Sequence, residues 1–361
     1  MCSYSVRLNM QMTFRWFGAD DAIPLAHIRQ IPGISGVVSA LYDVPVGDVW
    51  SRARLTDLAS QVDAIGLSLA VIESIPVHED IKLGRATRDR LVDHYAESVR
   101  NMGEVGIRVL CYNFMPIFDW MRTDLAMPQP DGSTALAYDD AALTRIDLSR
   151  GTGDLPGWAA AYDATSLAAL LDAYKAVDAE RLWENLEYFL ERVVPAAESV
   201  GVRLAMHPDD PPWSIFGLPR IITSGPSLDR LTRLVDSPVN GVTFCTGSLG
   251  ADPSNDLPRM VADLAERGRI HFAHCRNVKV TGTKKFSETP HPSRLGDVDL
   301  HGVLAALHRA GFDGPIRSDH GRMIWGERGR PGYGLYDRAL GATYLQGLWE
   351  GIEKAGRMVE G

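Results

Sequence analysis

The chain has 361 residues, of which 46 are acidic and 37 are basic, so its net charge near neutral pH is −9. Hydrophobic residues make up 45% and charged residues 23% of the sequence, a composition that excludes a wholly disordered chain. The negative charge and the lack of a basic stripe disfavour a nucleic-acid-binding surface, and no apolar run approaches the roughly 18 residues of a membrane helix.

The first residues and the cysteines indicate the compartment. Residues 1–12 have neither the apolar core nor the cleavage site of a signal peptide, and we expect them to form a polar, disordered leader. The four cysteines, Cys2, Cys111, Cys245 and Cys275, are scattered, without the spacing of a disulfide framework. This usage is typical of a reducing environment. We therefore expect a cytoplasmic protein without a membrane or nucleic-acid partner.

Short apolar runs alternate with longer amphipathic stretches along the rest of the chain. The runs are mostly apolar on both faces, as buried parallel strands are. The eight predicted strands cover residues 14–17, 36–41, 67–73, 108–114, 202–207, 242–246, 270–276 and 315–320. The predicted helices between them cover residues 49–65, 88–105, 182–200, 228–234, 258–267 and 300–310.

Eight βα repeats predict an α/β protein that is a single (β/α)8 TIM barrel over residues 13–361. The alternative is an open doubly wound sheet of two lobes, which is disfavoured because no G-x-G-x-x-G turn follows any predicted strand. An insertion, residues 118–165, follows strand four, and a second irregular segment, residues 277–298, follows strand seven. Both leave strand carboxyl ends, where barrels carry active sites. The first is interpreted as either a lid or a dimer contact.

The predicted strands five to eight each end in a residue that can bind a metal ion. The spacings between these residues are 38, 29 and 45, each about one βα unit, so the four side chains should meet at one mouth of the barrel. A lone histidine there is more often structural and a lone buried cysteine usually packs as a small hydrophobe, but four in succession favour a shared ion. Two imidazoles, a thiolate and a carboxylate suit Mn²⁺, Fe²⁺, Co²⁺ or Zn²⁺. The predicted ligands are His207, Cys245, His274 and Asp319.

Residues beside these ligands are predicted to face elsewhere. His271 and Cys275 alternate to the face opposite His274, so we expect them to pack in the core. By the same alternation His320 points away from Asp319, but at a strand end it can turn into the mouth. There it would serve as a general acid or base, with the orienting of a carboxylate as the alternative role.

Other polar residues lie near the strand ends. Arginines at the mouth of an acidic protein are suited to clamp a carboxylate, while a solvated surface position is the alternative for each charged loop residue. The strand-end residues are Arg15, Tyr42, Glu73, Asn113, Arg122 and Arg276.

A glycine-rich stretch, residues 329–341, lacks the Lys-Ser/Thr pair of a P-loop and is interpreted as a turn that presents Tyr333, with Tyr336 as the competing candidate.

Several long motifs occur in a characteristic order between residues 13 and 350. They are FRWFG, SALYDVPVGDVW, VIESIPVHEDIKLG, CYNFMPIFDWMRTDL, HPDDPP, FCTGSLG, HFAHCRN, SDHGR and RPGYGLYDRALG. Together they resemble the mannonate dehydratase family of hexuronate degradation, which has xylose-isomerase-like TIM barrels and is distinct from the enolase-superfamily enzymes of the same activity. At Tyr42, Asp43 and Val46 the sequence departs from the two histidines and the asparagine expected in the family.

The resemblance implies the loss of water from D-mannonate to give 2-keto-3-deoxy-D-gluconate, a requirement for Mn²⁺ or Fe²⁺, and a homodimer. It places the family's metal ligands on the four residues predicted above. It also places the family's acid–base pair on His320 and Tyr333. On this basis we expect His320 to remove the C2 proton and Tyr333 to protonate the departing hydroxyl. Asn113, Arg122 and Arg276 are the candidates for holding substrate oxygen atoms.

Three other functions compete with dehydration. A metal-dependent sugar isomerase or epimerase on the same barrel is disfavoured by the cysteine ligand and the Asp319–His320 pair. A metal-dependent endonuclease is disfavoured by the net charge. A barrel that only binds a sugar acid is disfavoured by a complete ligand set beside an acid–base pair.

Overall fold

Strands and helices alternate along the chain in the computed structural model, which describes residues 10–146, 148 and 162–359. The strands are β1 Gln11–Arg15, β2 Gly36–Ser39, β3 Ser68–Glu73, β4 Val109–Tyr112, β5 Asp124–Pro128, β6 Thr134–Asp139, β7 Arg203–Met206, β8 Asn240–Cys245, β9 Ile270–His274, β10 Asn277–Gly282, β11 Lys285–Thr289 and β12 Pro315–Arg317. The helices are α1 Leu25–Arg29, α2 Arg52–Asp63, α3 Glu79–Lys82, α4 Arg88–Val105, α5 Asp140–Leu143, α6 Ala164–Tyr174, α7 Ala179–Val200, α8 Gly225–Leu234, α9 Thr246–Leu249, α10 Leu257–Glu266, α11 Leu300–Arg309 and α12 Tyr336–Val359, with a 3₁₀ helix at Ser293–Leu295.

Eight of these strands close into a parallel barrel, in the order β1-β12-β9-β8-β7-β4-β3-β2. The ring closes because β1 pairs in parallel with both β2 and β12. Each of the eight corresponds to one of the runs predicted from the sequence, so the (β/α)8 barrel is confirmed. Among the described residues, no helix combines the length and apolarity of a membrane span.

The first barrel strand starts before the boundary predicted for the leader. β1 begins at Gln11, and Met12 pairs with Ile316 of β12 and is buried. Gln11 and Met12 therefore belong to the barrel and not to the leader. Residues 1–9, the rest of the predicted leader, lie outside the described residues.

Local signals explain the bounds of the long helices. α4 covers residues 88–105, as predicted. α7 begins three residues earlier than predicted, because the side chain of Asp178 accepts a hydrogen bond from the backbone N–H of Arg181 and caps the helix. It ends at Gly201, whose φ of 65° is the left-handed conformation that terminates many helices.

The two segments predicted as interruptions form one antiparallel sheet, which we call the insertion sheet. The first insertion contributes the hairpin β5–β6 and the second irregular segment contributes the hairpin β10–β11. The hairpins join because β11 pairs with β6, with Phe286 opposite Tyr138. Residues 147 and 149–161 of the first insertion lie outside the described residues. Neither segment was predicted to contain strands, and their pairing depends on contacts between distant parts of the chain.

Two apolar layers fix the barrel and leave one end available for chemistry. A large cluster lies between the strands and the helices and contains residues such as Leu204 and Leu304. A small cluster fills the inside of the barrel, with Val38, Val71 and Phe272 among its members. The polar residues that follow the strands therefore lie beyond this small apolar cluster, at the carboxyl end of the barrel.

Candidate active site

A cavity of about 230 Å³ lies at the carboxyl end of the barrel. Its walls come from the ends of four barrel strands, β1, β3, β4 and β12, and from loops that follow barrel strands. Trp120, from the start of the first insertion, forms part of the wall and lies 5.2 Å from the His320 ring, between ring centroids. The polar lining includes Arg15, Glu73, Asn113, Asp119, His207, Arg317, Asp319, His320 and Tyr333.

Three of the four predicted ligands meet beside this cavity. One ligand atom each from His207, Cys245 and His274 lies within 4.8 Å of the other two. Asp319 lies next to them, since its Oδ2 is 3.7 Å from Cys245 Sγ and its Oδ1 is 3.7 Å from His274 Nδ1. Residues separated by more than one hundred positions are therefore brought together, as the strand-end spacing predicted.

The chemistry of these four side chains fits a divalent cation. Both ring nitrogens of His274 are buried and lack a hydrogen-bond partner among the described residues. Burial alone would raise the pKa of Cys245, but the Arg276 guanidinium and the two imidazoles hold that pKa well below its ordinary value. A buried thiolate beside imidazole nitrogens with no hydrogen bond is a set of ligand atoms for a borderline metal ion.

A second group of potential ligands shares His274 but suits a metal less well. Atoms of Glu73, Cys111 and His274 also lie within 4.8 Å of one another. Burial raises the pKa of Cys111 well above its usual value, so this thiol stays protonated. Glu73 is already paired with Arg15 at 3.2 Å and with Arg317 at 2.9 Å. The group containing Cys245 is therefore the better candidate.

Asp319 and His320 both face the cavity although they are adjacent in sequence. β12 ends at Arg317, so strand alternation no longer governs these two residues. Asp319 has a φ of 56°, a left-handed conformation that is rare outside glycine. This backbone conformation allows Asp319, a predicted ligand, and His320, a predicted base, to face the same site.

His320 bridges Tyr333 and a carboxylate. Its Nε2 lies 2.8 Å from Tyr333 Oη, and its Nδ1 lies 2.8 Å from Glu288 Oε1. Burial raises the pKa of Tyr333, so its hydroxyl keeps its proton. The competing candidate, Tyr336, begins α12 and is 42% exposed, and it does not line the cavity. The structure therefore favours Tyr333.

Arg122 and Arg276 do not lie where a substrate-binding role would place them. Both are buried, neither lines the cavity, and their guanidiniums are engaged by carboxylates. Arg122 donates to Asp210 at 2.7 and 3.0 Å and to Glu288 at 2.7 and 3.1 Å. Arg276 donates to Asp319, Asp210 and Glu288 at 2.7, 2.7 and 3.1 Å. The expectation that these two arginines hold the substrate is corrected: the geometry makes them supports for the site's carboxylates.

Two other arginines line the cavity instead. Nε of Arg15 and both Nε and Nη1 of Arg317 are buried and have no hydrogen-bond or ion-pair partner among the described residues. Arg317 was not among the residues predicted from the sequence, although it ends β12 at the mouth of the barrel. Asn113 does line the cavity, as predicted, and its Oδ1 accepts a hydrogen bond from the backbone N–H of Met115.

The residues predicted to face elsewhere do so. Cys275 belongs to the large apolar cluster, and burial raises its pKa. His271 is 1% exposed, and its Nδ1 donates to the backbone oxygen of Leu204 at 2.9 Å. Of the positions that depart from the family, Tyr42 and Val46 line the cavity, whereas Asp43 is exposed and paired with Arg54.

The arrangement combines three chemical capacities in one cavity. It holds a cluster of soft and borderline ligand atoms, a histidine–tyrosine pair able to exchange a proton, and two arginines with unbonded N–H groups. Together these could bind an anionic substrate, stabilise negative charge that develops on it and move protons at its carbon and oxygen atoms.

Comparisons with known proteins agree with this chemistry. The sequence matches the family described as D-mannonate dehydratase (UxuA) over residues 10–359. A mannonate dehydratase from Streptococcus agalactiae serotype III (strain NEM316) is 54% identical over 348 residues, which cover 96% of this chain and 100% of that protein. The crystal structure of mannonate dehydratase from Streptococcus suis serotype 2 has 47% identity and a TM-score of 0.90, covering 96% of both chains.

A more distant similarity concerns the fold alone. The structure of an L-ribulose 3-epimerase shares 14% identity with this chain, with a TM-score of 0.54 and coverage of 98% of both chains. It shows the same barrel fold and carries no argument about the reaction. The match over residues 10–359, together with 54% identity across a complete relative, shows that this chain belongs to the mannonate dehydratase family.

Proposed function

We propose that this chain catalyses the metal-dependent loss of water from D-mannonate, which gives 2-keto-3-deoxy-D-gluconate. The observation that carries the proposal is the meeting of His207, Cys245 and His274 with the His320–Tyr333 pair around one cavity, in a chain of this family. The isomerase or epimerase alternative rests only on the shared barrel.

The proposed metal ligands are His207, Cys245, His274 and Asp319, and the proposed ion is Mn²⁺ or Fe²⁺. A divalent cation held there would supply positive charge that stabilises the negative charge developing on the substrate. Arg276 and Arg317 hold the Asp319 carboxylate from two sides, both at 2.7 Å. This restraint orients the carboxylate toward the other three ligands.

The two proton transfers are assigned to neighbouring side chains. His320 takes the C2 proton on Nε2, and Tyr333 gives its proton to the departing C3 hydroxyl, which leaves as water. A C2–C3 double bond forms, and the resulting enol becomes the 2-keto acid. A phenol whose pKa is raised by burial is suited to the acid role. The 2.8 Å contact between Nε2 and Oη lets the proton return from His320 to Tyr333 after each turnover.

Arg15 and Arg317 are the proposed partners of the substrate carboxylate. Arg15 has one guanidinium nitrogen, Nε, and Arg317 has two, Nε and Nη1, that are buried without a partner in the described part of the chain, and both residues line the cavity. Carboxylates match the forked donors of arginine. Asn113 and Tyr42, which also line the cavity, are the candidates for contacting hydroxyl groups along the sugar chain.

A cytoplasmic homodimer is the proposed form in the cell. The cysteines that the structure describes, Cys111, Cys245 and Cys275, are all free, as in proteins of reducing compartments. The homodimer follows from the resemblance to the family, and light scattering on the purified protein tests it.

Turnover of D-mannonate by purified, metal-stripped protein tests the function. Mn²⁺ or Fe²⁺ is restored without oxygen, and formation of the 2-keto-3-deoxy acid is measured. We expect product only when the ion is present. No product with any divalent ion would overturn the dehydratase proposal. Sugar isomerisation assays and substrate binding without turnover would then distinguish the two remaining alternatives.

A further inference from the structure

Glu288 is buried behind His320 and does not itself line the cavity. It lies on β11 of the insertion sheet. Its Oε1 receives hydrogen bonds from Arg122 Nη2 at 2.7 Å and from Arg276 Nη1 at 3.1 Å, and it lies 2.8 Å from His320 Nδ1. One carboxylate oxygen therefore joins the proposed base to two fixed cations.

We infer that Glu288 is a positioning residue that holds His320 in the tautomer with its proton on Nδ1. The inference rests on the proposed function, in which Nε2 of His320 receives the C2 proton. An ionised carboxylate can only accept hydrogen bonds, so the imidazole nitrogen facing it must donate. In the neutral ring Nε2 is then unprotonated, and it faces the Tyr333 hydroxyl and the cavity.

The surroundings of Glu288 keep it ionised. Burial would raise the pKa of Glu288, but the hydrogen bond with His320 and the guanidiniums of Arg276 and Arg122 hold that pKa below its ordinary value. Asp210 accepts hydrogen bonds from the same two arginines, so the arginine pair is shared between two carboxylates. Only Glu288 of these two is hydrogen-bonded to the His320 ring. The insertion sheet thus supplies an orienting carboxylate that the barrel strands do not.

The shared arginine pair provides a matched control. Glu288→Leu removes the partner of Nδ1 and leaves Asp210 on both arginines. Asp210→Asn takes a negative charge from the same arginines and leaves the partner of Nδ1 in place. Glu288→Gln keeps an acceptor oxygen available at the bonded position. If Glu288 acted only in folding, Glu288→Leu and Asp210→Asn would behave alike.

The direct measurement is the ¹⁵N spectrum of the histidine rings in the full-length protein loaded with diamagnetic Zn²⁺. The chain has ten histidines, and the spectrum of His320→Gln identifies the signals of interest. We expect the proton on Nδ1 in wild type, Glu288→Gln and Asp210→Asn, and a mixture of tautomers in Glu288→Leu. The kcat of Glu288→Leu for D-mannonate should fall by up to roughly 10⁴-fold, the loss that follows replacement of the orienting carboxylate in a serine-protease triad. KM should change much less, because Glu288 does not line the cavity.

Three results would overturn the inference: a wild-type proton on Nε2, an unchanged tautomer in Glu288→Leu, or an equal loss of tautomer in Asp210→Asn. If Glu288→Leu does not fold, the wild-type and Glu288→Gln spectra still decide the tautomer. The spectra need no turnover. A chain that fails to dehydrate D-mannonate but shows the expected tautomers would contradict the proposed function and leave the positioning role intact.

Discussion

Gly332 lies against Leu136, so closely that a β-carbon on Gly332 would overlap Cδ1 of that leucine. Gly332 immediately precedes Tyr333, and Leu136 is on β6 of the insertion sheet. The backbones of Thr134 and Met323 exchange two hydrogen bonds, at 3.1 and 2.8 Å, and join the same sheet to the start of this loop. The first insertion therefore supports the loop that carries the proposed acid, in the way that β11 supports the proposed base.

Gly332→Ala should lower kcat by about 10- to 100-fold, because the added methyl group displaces the loop and moves Tyr333. Gly326→Ala is the matched control. Gly326 has a φ of 72°, close to the 78° of Gly332, but no atom lies near its missing β-carbon. Both variants carry the same backbone strain. Equal kcat values for the two would mean that the contact with Leu136 does not position Tyr333.

Cys245→Ser should abolish tight metal binding, measured as bound Mn²⁺ per chain after dialysis. The loss should exceed the roughly 10- to 100-fold cost of removing a residue that only supports a ligand. Cys275→Ser is the control, since Cys275 is also fully buried but packs in the apolar cluster. A Cys245→Ser protein that keeps its metal would remove this residue from the ligand set.

Tyr333→Phe should lower kcat by about 10²- to 10⁴-fold, the usual contribution of a general acid. Metal content should not change, because Tyr333 is not among the proposed ligands. Tyr336→Phe, three residues along the chain and half-exposed, should have wild-type kcat. Wild-type turnover by Tyr333→Phe with normal metal content would show that the acid is another group.

Arg317→Lys should raise KM for D-mannonate by about 10- to 100-fold, which corresponds to one lost hydrogen bond between charged groups. Lysine keeps the charge beside Glu73 and Asp319 but lacks the forked donors that match a carboxylate. Arg54→Lys, at an exposed ion pair with Asp43, is the control. An unchanged KM in Arg317→Lys would mean that the substrate carboxylate binds elsewhere.

His271 should make the protein less stable as the pH falls from 7 to 5. Burial lowers its pKa from 6.5 to about 4 in the folded chain. The unfolded chain therefore takes up a proton first, and stability present above pH 6.5 is lost as the pH approaches 4. The expected loss in the free energy of unfolding between pH 7 and pH 5 is about 2 kcal/mol.

Urea denaturation at the two pH values measures this loss. His271→Asn keeps a donor for the backbone oxygen of Leu204 but cannot titrate, so its stability should change less over this interval. Asp210 and Glu288 also have lowered pKa values, but they lose their contribution only at more acidic pH. The same pH dependence in wild type and His271→Asn would contradict the assignment.

The ligand cluster could be predicted because its determinants are local. Each of His207, Cys245 and His274 ends or follows a short apolar strand, and the repeat of βα units places consecutive strand ends at one mouth. Arg317 was equally accessible to this reasoning, because it ends β12 at the same mouth. The roles of Arg122 and Arg276 were not accessible, because the carboxylates that neutralise them come from other parts of the chain.

The sequence by itself determined the barrel and the mouth at which the proposed ligands lie, since apolar periodicity and strand-end position are local properties. The acid–base pair was an expectation from the resemblance to the family. Only the tertiary structure decided which arginines face the cavity and which hold carboxylates, and that two insertions pair into one sheet. Glu288 and Leu136 reach His320 and Gly332 through contacts between segments more than thirty residues apart. No local pattern encodes such pairings, because they depend on how the folded backbone brings distant charges and methyl groups together.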